Sequence, residues 1–322
     1  MPKCSVNIPY YGQGRYLRAV LGSLQTQSAL EQLEVTVIDD QSPEQAEHFV
    51  PQDASVEVIR NSENMGMVKN WNRCLTHGNH EYVHVMHYDD LLDSRFYATV
   101  LSEFEQSKTL GLVYTDTQRV YSKKLSASYW ISRLAPRPSL LNAAPVHYLA
   151  GDEAVRQAIR GIRCSSVVIR REAVQELGLF REDLPYSPDE EYWARIAARW
   201  SIAHIPMPLA IFRYHDANHE VSTWLQSDFW DRLEATRHAR LAHLSHPTEQ
   251  DRAAQAASLA RIGTFVALVL LARGYREQAE HYLECAAQIY EPIRVEKSFR
   301  QATEWLSQSH WGRLKAQFMS PF

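Results

Sequence analysis

Roughly the first 120 residues alternate between short strand-like segments and longer helix-like segments, which limits the chain to few folds. The strand-like segments are rich in β-branched residues and cover 4–8, 35–38, 56–59 and 82–86. Helical periodicity fills the intervals at 15–27, 67–75 and 94–106. Strands that alternate with helices form βαβ units. The pattern therefore predicts an α/β fold, Rossmann-like, with a mostly parallel sheet flanked by helices.

The second half of the chain changes character near residue 222. Before it, the pattern predicts a strand at 111–117, a loop at 125–146, a strand and helix within 165–178, a helix at 189–200, and two strands near 201–215. After Thr223 the pattern is helical. We expect an α/β domain at 1–222 and a C-terminal α-helical region at 223–322. Part of this region resembles one tetratricopeptide-like helical pair, suited to oligomerisation or to substrate or membrane contact.

Composition excludes several classes of protein. The net charge of −4 over 322 residues does not favour a nucleic-acid partner. The four cysteines lack CxxC spacing, which indicates a reducing compartment rather than a disulfide framework. The N-terminus has no apolar signal-peptide core, and the apolar run at 264–272 is too short to span a bilayer. We expect a cytoplasmic protein without a transmembrane segment, with peripheral contact to the inner membrane face left open.

Polar and aromatic residues follow each of the first four predicted strands. They are Pro9-Tyr10-Tyr11, Asp39-Asp40, Asn61 with Asn64, and His87-Tyr88-Asp89-Asp90. The carboxyl ends of parallel strands form one ligand-binding edge. No cluster of positive residues accompanies the acidic pairs in the sequence, so we expect a divalent cation that bridges them to an anionic ligand. Carboxylate oxygens suit Mg²⁺ or Mn²⁺.

A zinc site that combines His84 with His87 is not expected. Residues three apart on a strand point to opposite faces of the sheet. We therefore interpret His84 as a histidine buried on one sheet face.

Five motifs in order resemble family 2 glycosyltransferases, which have the GT-A fold. They are CSVNIPYYGQGRYLRAVLGSLQTQ with LEVTVIDDQSPE, NMGMVKNWN, HYDDLL, FREDLPYSPDEEYWARIA and FRYHDANHEVS. The resemblance covers roughly residues 4–222 and leaves out the helical region. It implies inverting transfer of a sugar from a nucleotide-diphosphate donor (a UDP-, GDP- or dTDP-sugar). The acceptor would be the hydroxyl of a glycan or lipid-linked molecule, in surface polysaccharide synthesis.

The resemblance also implies roles for individual residues. It assigns nucleotide binding to Pro9, Tyr11, Asp40, Asn64, Lys69, Asp89 and Arg213. Tyr11 would stack on the base, Asp40 would accept a hydrogen bond from it, and Lys69 would lie near the phosphates. Mn²⁺ or Mg²⁺ would be held by Asp89, Asp90 and His215. Among three consecutive acidic residues at 189–191, alignment selects Asp189 as the general base.

Several departures from the family pattern, and two alternative functions, stay open; Tyr10 and Gly12, for example, replace the family's usual small residue and Asn. His87 replaces the first acidic residue of the family's Asp-x-Asp motif, and Pro188 stands where an acidic residue commonly precedes the base. A nucleotidyltransferase would need a Gly-rich loop with Arg or Lys, and the only candidate, YGQGRY at 11–16, lacks lysine. A non-catalytic scaffold with a relict nucleotide-sugar site would use the helical region to bind a partner. A homodimer is possible, and Trp130, Arg133 and His147 are candidates for an acceptor site.

Overall fold

The computed structural model describes residues 3–52, 54–121, 145–214 and 223–289. Nine strands form one sheet in this part of the chain. They are β1 (Cys4–Tyr10), β2 (Leu33–Asp39), β3 (Val56–Arg60), β4 (Tyr82–Val85), β5 (Leu91–Leu92), β6 (Leu110–Tyr121), β7 (His147–Leu149), β8 (Val167–Arg170) and β9 (Ser201–Tyr214). Their order is β3-β2-β1-β4-β8-β6-β9-β5, and β7 pairs with β9.

The sheet is mixed, with a parallel half. Strands β3, β2, β1 and β4 are parallel neighbours, and β6 is parallel to β9. Strand β8 runs antiparallel to both β4 and β6. The predicted α/β fold with mostly parallel strands is confirmed. The reversed direction of β8 has a consequence for the site, because it brings the start of this strand to the edge where β4 ends.

The prediction of two strands near 201–215 was wrong, since β9 is one continuous strand. Its pairing with β6 shifts register around Asp116, which lies opposite Pro208. Pro206 and Pro208 have no N–H to donate to a ladder, so the sequence there resembles a break. β-bulges absorb the two prolines and let the strand continue.

Helices cover both faces of the sheet. They are α1 (Gly14–Gln25), α2 (Met67–Thr76), α3 (Phe96–Gln106), α4 (Gly151–Ala158), α5 (Arg171–Leu177) and α6 (Pro188–Ala197). One buried cluster joins α1 and α3 to the sheet, and a second joins α2, α4 and α6 to the other face. His84 lies fully buried in the first, with Nδ1 2.7 Å from the Tyr97 hydroxyl. The prediction that His84 faces away from His87 is confirmed, because His87 packs on Trp71 in the second cluster.

Three further helices follow: α7 (Phe229–Leu241), α8 (Glu249–Ala272) and α9 (Arg276–Ile289). The chain divides into two compact units. The first consists of Met1–Asn218 and Ala239–Ser245, and the second of His219–His238 and His246–Phe322. In the second unit, Gly263 of α8 approaches both Trp230 and Ala286.

Helix α8 is longer than the apolar run that predicted it. By length and composition Glu249–Leu271 is long and apolar enough to cross a membrane. A core helix passes the same test, and Leu259, Val266 and Leu270 are buried within the protein.

Candidate active site

The first acidic pair follows β2, and its first member is satisfied entirely by the protein. The Asp39 carboxylate accepts hydrogen bonds from the backbone N–H groups of Ser42 (2.7 Å) and Ala46 (3.0 Å). It also forms an ion pair with Arg60 at 2.7 Å. The expectation that Asp39 and Asp40 lack neutralising positive residues was wrong for Asp39, which this single arginine neutralises. Parallel pairing of β2 with β3 sets Asp39 opposite Arg60, although 21 residues separate them in the chain.

Asp40 organises the turn that begins α2. Its Oδ1 accepts hydrogen bonds from Asn61 Nδ2 (2.7 Å) and the Met65 N–H (2.9 Å), and its Oδ2 accepts one from the Gly66 N–H (2.9 Å). Gly66 has φ +85°, a conformation that favours glycine and that presents both N–H groups to one carboxylate. The Asn64 side chain accepts a second bond from the Gly66 N–H at 3.0 Å. Asp40 and Asn64 therefore belong to one hydrogen-bonded turn, because both side chains accept from the Gly66 N–H.

Three other residues predicted to bind the nucleotide, Pro9, Tyr11 and Lys69, lie in β1, just after β1 and in α2. Pro9 is buried in β1, where it pairs with Ile38. Tyr11 follows β1 and is 45% exposed. The Asp40 N–H donates to the Tyr10 carbonyl at 2.9 Å, which ties the ends of β1 and β2 together. Lys69 is exposed in the first turns of α2.

The second acidic pair follows β4 and forms a different arrangement. One ligand atom each from His87, Asp89 and Asp90 lie within 4.8 Å of one another. Asp90 is buried, and its carboxylate accepts hydrogen bonds from Ser165 Oγ (2.6 Å) and the Arg213 N–H (3.2 Å). Burial, and next the charge of Asp89, raise the pKa of Asp90 to about 7.

Arg213 of β9 joins the same group. Its Nε donates to the backbone carbonyl of Asp89, and its guanidinium lies 5.1 Å from the ring centre of Tyr16. The structure therefore brings Asp89, Asp90 and Arg213 together as the sequence predicted. His215, the other predicted metal ligand, lies outside the described residues.

The His87–Asp89–Asp90 group suits a divalent cation. The His87 ring stacks on Trp71 with 4.7 Å between ring centres, which fixes its orientation. Its Nε2 is buried and has no hydrogen-bond partner in the parts of the chain that the structure describes. Burial lowers the pKa of His87, so the imidazole is neutral near pH 7 and able to bind a metal. Two carboxylates and one ring nitrogen form a donor set that fits Mn²⁺ and, less well, Mg²⁺.

Asp189 lies half-buried in the first turn of α6. Burial, and next the neighbouring charge of Glu190, raise the pKa of Asp189 to about 7, against the opposing charge of Arg163. A carboxylate with such a pKa can accept a proton efficiently near neutral pH. Its neighbour Glu191 is engaged elsewhere, with Arg195 at 2.9 Å and His243 at 2.8 Å.

Sequence reasoning missed Arg163 and Ser165, which enter this edge from the start of β8. The Arg163 guanidinium lies 4.6 Å from the ring centre of Phe212, and its charge acts on His87, Asp90 and Asp189. A search limited to residues that follow strands overlooks a strand that runs the opposite way. The Arg-Cys-Ser-Ser sequence before a β-branched run was the available signal.

Sequence comparison identifies the family to which this α/β chain belongs. Residues 5–178, more than half of the chain, match the family described as glycosyl transferase family 2. The chain belongs to that family. It is 25% identical over 228 residues to an uncharacterized protein of Mycobacterium tuberculosis (strain CDC 1551 / Oshkosh), a match that covers 66% of this chain and 67% of the relative.

Solved structures show the same fold. TarS 1-349 of S. aureus, in complex with UDP-GlcNAc, has a TM-score of 0.65 at 17% identity, over 98% of this chain and 89% of that one. The mannosyltransferase PcManGT of Pyrobaculum calidifontis, in complex with GDP-Man and Mn²⁺, has a TM-score of 0.56 at 15% identity, over 99% and 85%. The resemblance to a GT-A glycosyltransferase is confirmed. The chain is a glycosyltransferase by family and fold, so the nucleotidyltransferase alternative is excluded.

Proposed function

We propose that the protein transfers a sugar, with inversion, from a nucleotide-diphosphate donor to a hydroxyl of a glycan or lipid-linked acceptor, with Mn²⁺ or Mg²⁺ as cofactor. The observation that carries this proposal is electrostatic. The charge of Arg163 acts on both the His87–Asp89–Asp90 group and Asp189, so three candidate metal ligands and a carboxylate whose pKa is raised to about 7 share one end of the sheet.

The nucleotide binds, in this proposal, along the turn that Asp40 organises. Tyr11 is exposed beside it and offers a ring face for the base. Asp40 supplies an acceptor for a base N–H, while Asn64 and Lys69 line the path toward the phosphates. Pro9, in β1, supports the loop that carries Tyr11. The solved relatives named above hold UDP-GlcNAc and GDP-Man, which supports a sugar nucleotide as donor.

Asp89 and Asp90 would hold the divalent ion, with His87 and His215 as further ligands. The ion would act as a Lewis acid that offsets the charge of the departing diphosphate. Arg213 brings a fixed positive charge to the same place, and the Arg163 guanidinium contacts the ring of the preceding residue, Phe212. Asp89 would also serve the nucleotide. The presence of Mn²⁺ in the mannosyltransferase structure supports this cofactor.

Asp189 acts as the general base. It takes the proton of the acceptor hydroxyl as the oxygen forms a bond to the anomeric carbon, opposite the diphosphate. The bond between that carbon and the diphosphate oxygen breaks, and the leaving group carries away the electron pair. Because the base must be ionised, the rate falls as the pH drops below about 7.

The acceptor and cellular context extend the proposal. We assign the protein to surface polysaccharide synthesis at the cytoplasmic side of the membrane, as a possible homodimer. Of the three acceptor candidates, His147 lies within the described residues, where it is exposed and its ring stacks on His204 with 5.7 Å between ring centres. Trp130 and Arg133 lie outside the described residues.

A donor screen tests the proposal. UDP-, GDP- and dTDP-sugars are incubated with the protein and Mn²⁺, and released nucleoside diphosphate is measured with and without a chelator. We expect release from one nucleotide class, its loss with chelator, and loss in Asp189→Asn. That variant should still be stabilised thermally by the nucleoside diphosphate with Mn²⁺, because ligand binding to the folded state raises stability. Full release by Asp189→Asn, or none from any donor, would contradict the proposal.

A further inference from the structure

A short segment outside the sequence motifs completes the α/β unit. Ala239–Ser245 belongs to that unit, although the residues on both sides of it belong to the helical unit. Leu244 is buried in the cluster that contains Tyr192 and Trp193 of α6. The Ser245 N–H donates to Asp152 at the start of α4 at 2.8 Å. This segment is therefore packed against the helix that carries Asp189.

The same segment delivers two basic side chains to the first turn of α6. Arg240 forms an ion pair with Glu190, and the two side chains are 2% and 14% exposed. His243 Nε2 lies 2.8 Å from Glu191, whose other oxygen contacts Arg195 at 2.9 Å. Burial acts to raise the pKa of Glu191, but the His243 hydrogen bond and the Arg195 charge outweigh it and hold that pKa below its usual range. Glu190 and Glu191 are thus each held in an ion pair beside Asp189.

Burial concentrates the effect of these charges, because charge pairs shielded from water interact more strongly. Glu190 adjoins Asp189, and its negative charge makes ionisation of Asp189 harder. The groups that act on Asp189 from other elements are Arg163, which favours ionisation, and Cys164, a buried thiol. The positive charge of Arg240, paired with Glu190, offsets the repulsion between Glu190 and Asp189.

We propose that Arg240 is a positioning residue for the general base: by pairing with Glu190 it fixes the first turn of α6 and shields Asp189 from the Glu190 charge. This inference rests on the proposed function of Asp189. It makes Ala239–Ser245 part of the active site, although this segment lies beyond the sequence motifs.

The test is the ionisation midpoint of Asp189, measured by NMR on protein with ¹³C-labelled aspartate carboxyls and assigned with Asp189→Asn. We expect Arg240→Gln to raise the midpoint by about one pH unit and Glu190→Gln to lower it by a similar amount. The double variant should resemble Glu190→Gln, because Arg240 acts through Glu190. Arg240→Lys should restore most of the wild-type midpoint. The acid limb of the pH profile of diphosphate release should move by the same amounts.

Arg237→Gln is the matched control. Arg237 is a buried arginine three residues earlier that contacts Ser258 at 3.3 Å. The Arg237→Gln variant should have a lower melting temperature but an unchanged ionisation midpoint of Asp189. An unmoved midpoint in Glu190→Gln, or an Arg240→Gln protein that is only less stable, overturns the inference. Should Arg240→Gln fail to fold, Glu190→Gln decides alone. Failure of the proposed function is distinct: the midpoints move as expected, but no donor is turned over.

Discussion

Two pairs of adjacent aspartates lie at the same end of the sheet, but they differ in their hydrogen bonding. Asp39 and Asp40 together accept six hydrogen bonds, from Ser42, Ala46, Arg60, Asn61, Met65 and Gly66. Asp89 and Asp90 share a group with His87, and burial raises the pKa of Asp90 to about 7. The first pair stabilises the loops, while the second holds the Asp90 carboxylate where its charge is costly. The same dipeptide thus stabilises loops at one place, where Asp40 is also the proposed acceptor for the base, and, we propose, binds a cation at the other.

The largest expected effect comes from the second pair. Asp89→Asn should reduce diphosphate release by about 10²–10³-fold, because a bound metal contributes several kcal/mol to stabilising the leaving charge. The melting temperature without ligand should change little, since Asp89 is half-buried. Thermal stabilisation by Mn²⁺ with nucleoside diphosphate should vanish. Asp93→Asn is the matched control, because Asp93 lies three residues after Asp90, just after β5, and binds Arg95 instead. Equal loss in both variants would erase the contrast between metal-binding and structural acids.

The reverse result is expected for the first pair. Asp39→Asn leaves Arg60 without its partner and weakens two hydrogen bonds from backbone N–H groups. We expect a loss of about 3 kcal/mol in the free energy of unfolding, typical of breaking a buried ion pair from one side. Urea denaturation measures the loss, and calorimetry should show unchanged Mn²⁺ affinity. Asp183→Asn, which breaks the exposed pair with Arg181, should cost less than about 1 kcal/mol. A loss of metal affinity in Asp39→Asn would refute the assignment of a structural role to Asp39 and of metal binding to Asp89 and Asp90.

A third variant changes the metal preference of the second pair. His87→Asp restores the acidic residue usual at this position in the family. Because a ring nitrogen favours Mn²⁺ over Mg²⁺ more than a carboxylate does, the ratio of Mn²⁺ to Mg²⁺ affinity should fall about tenfold. Calorimetry in the presence of nucleoside diphosphate measures both affinities. His87→Phe, which keeps the stacking on Trp71, separates the nitrogen from the ring. An unchanged ratio in both variants would exclude His87 as a ligand.

The difference between the two pairs also marks what the sequence can predict. Strand and helix alternation depends on local residues, so the fold class and the opposite orientations of His84 and His87 followed from it. The Asp39–Arg60 pair depends on the register of β2 against β3, which no local pattern specifies. Arg163 required knowing that β8 is reversed, and Arg240 reaches Glu190 from 50 residues away. The family motifs located the candidate residues, whose roles stay predictions. Tertiary pairing supplied the charges that distinguish them.

The smallest expected effect extends the comparison to Asp189, another carboxylate whose ionisation the fold resists. Its pKa in the folded protein is about 7, above the ordinary value of 3.8 that it has when unfolded. The folded state therefore retains a proton that the unfolded state releases. The resulting stability is complete below pH 4 and is lost as the pH rises through 7. Asparagine cannot ionise and escapes this loss. Asp189→Asn should raise the melting temperature by a few degrees at pH 8 and change it little at pH 4.

Scanning calorimetry at the two pH values measures this effect, with Asp183→Asn as a control of opposite sign. The pair with Arg181 lowers the pKa of Asp183, so its ionised form stabilises the fold, and its loss should not raise the melting temperature at pH 8. If Asp189→Asn destabilises the protein equally at both pH values, Asp189 is a satisfied structural acid like Asp39. If it stabilises only at pH 8, the protein keeps at this position a carboxylate that lowers its stability, which is the expected cost of a group retained for proton transfer.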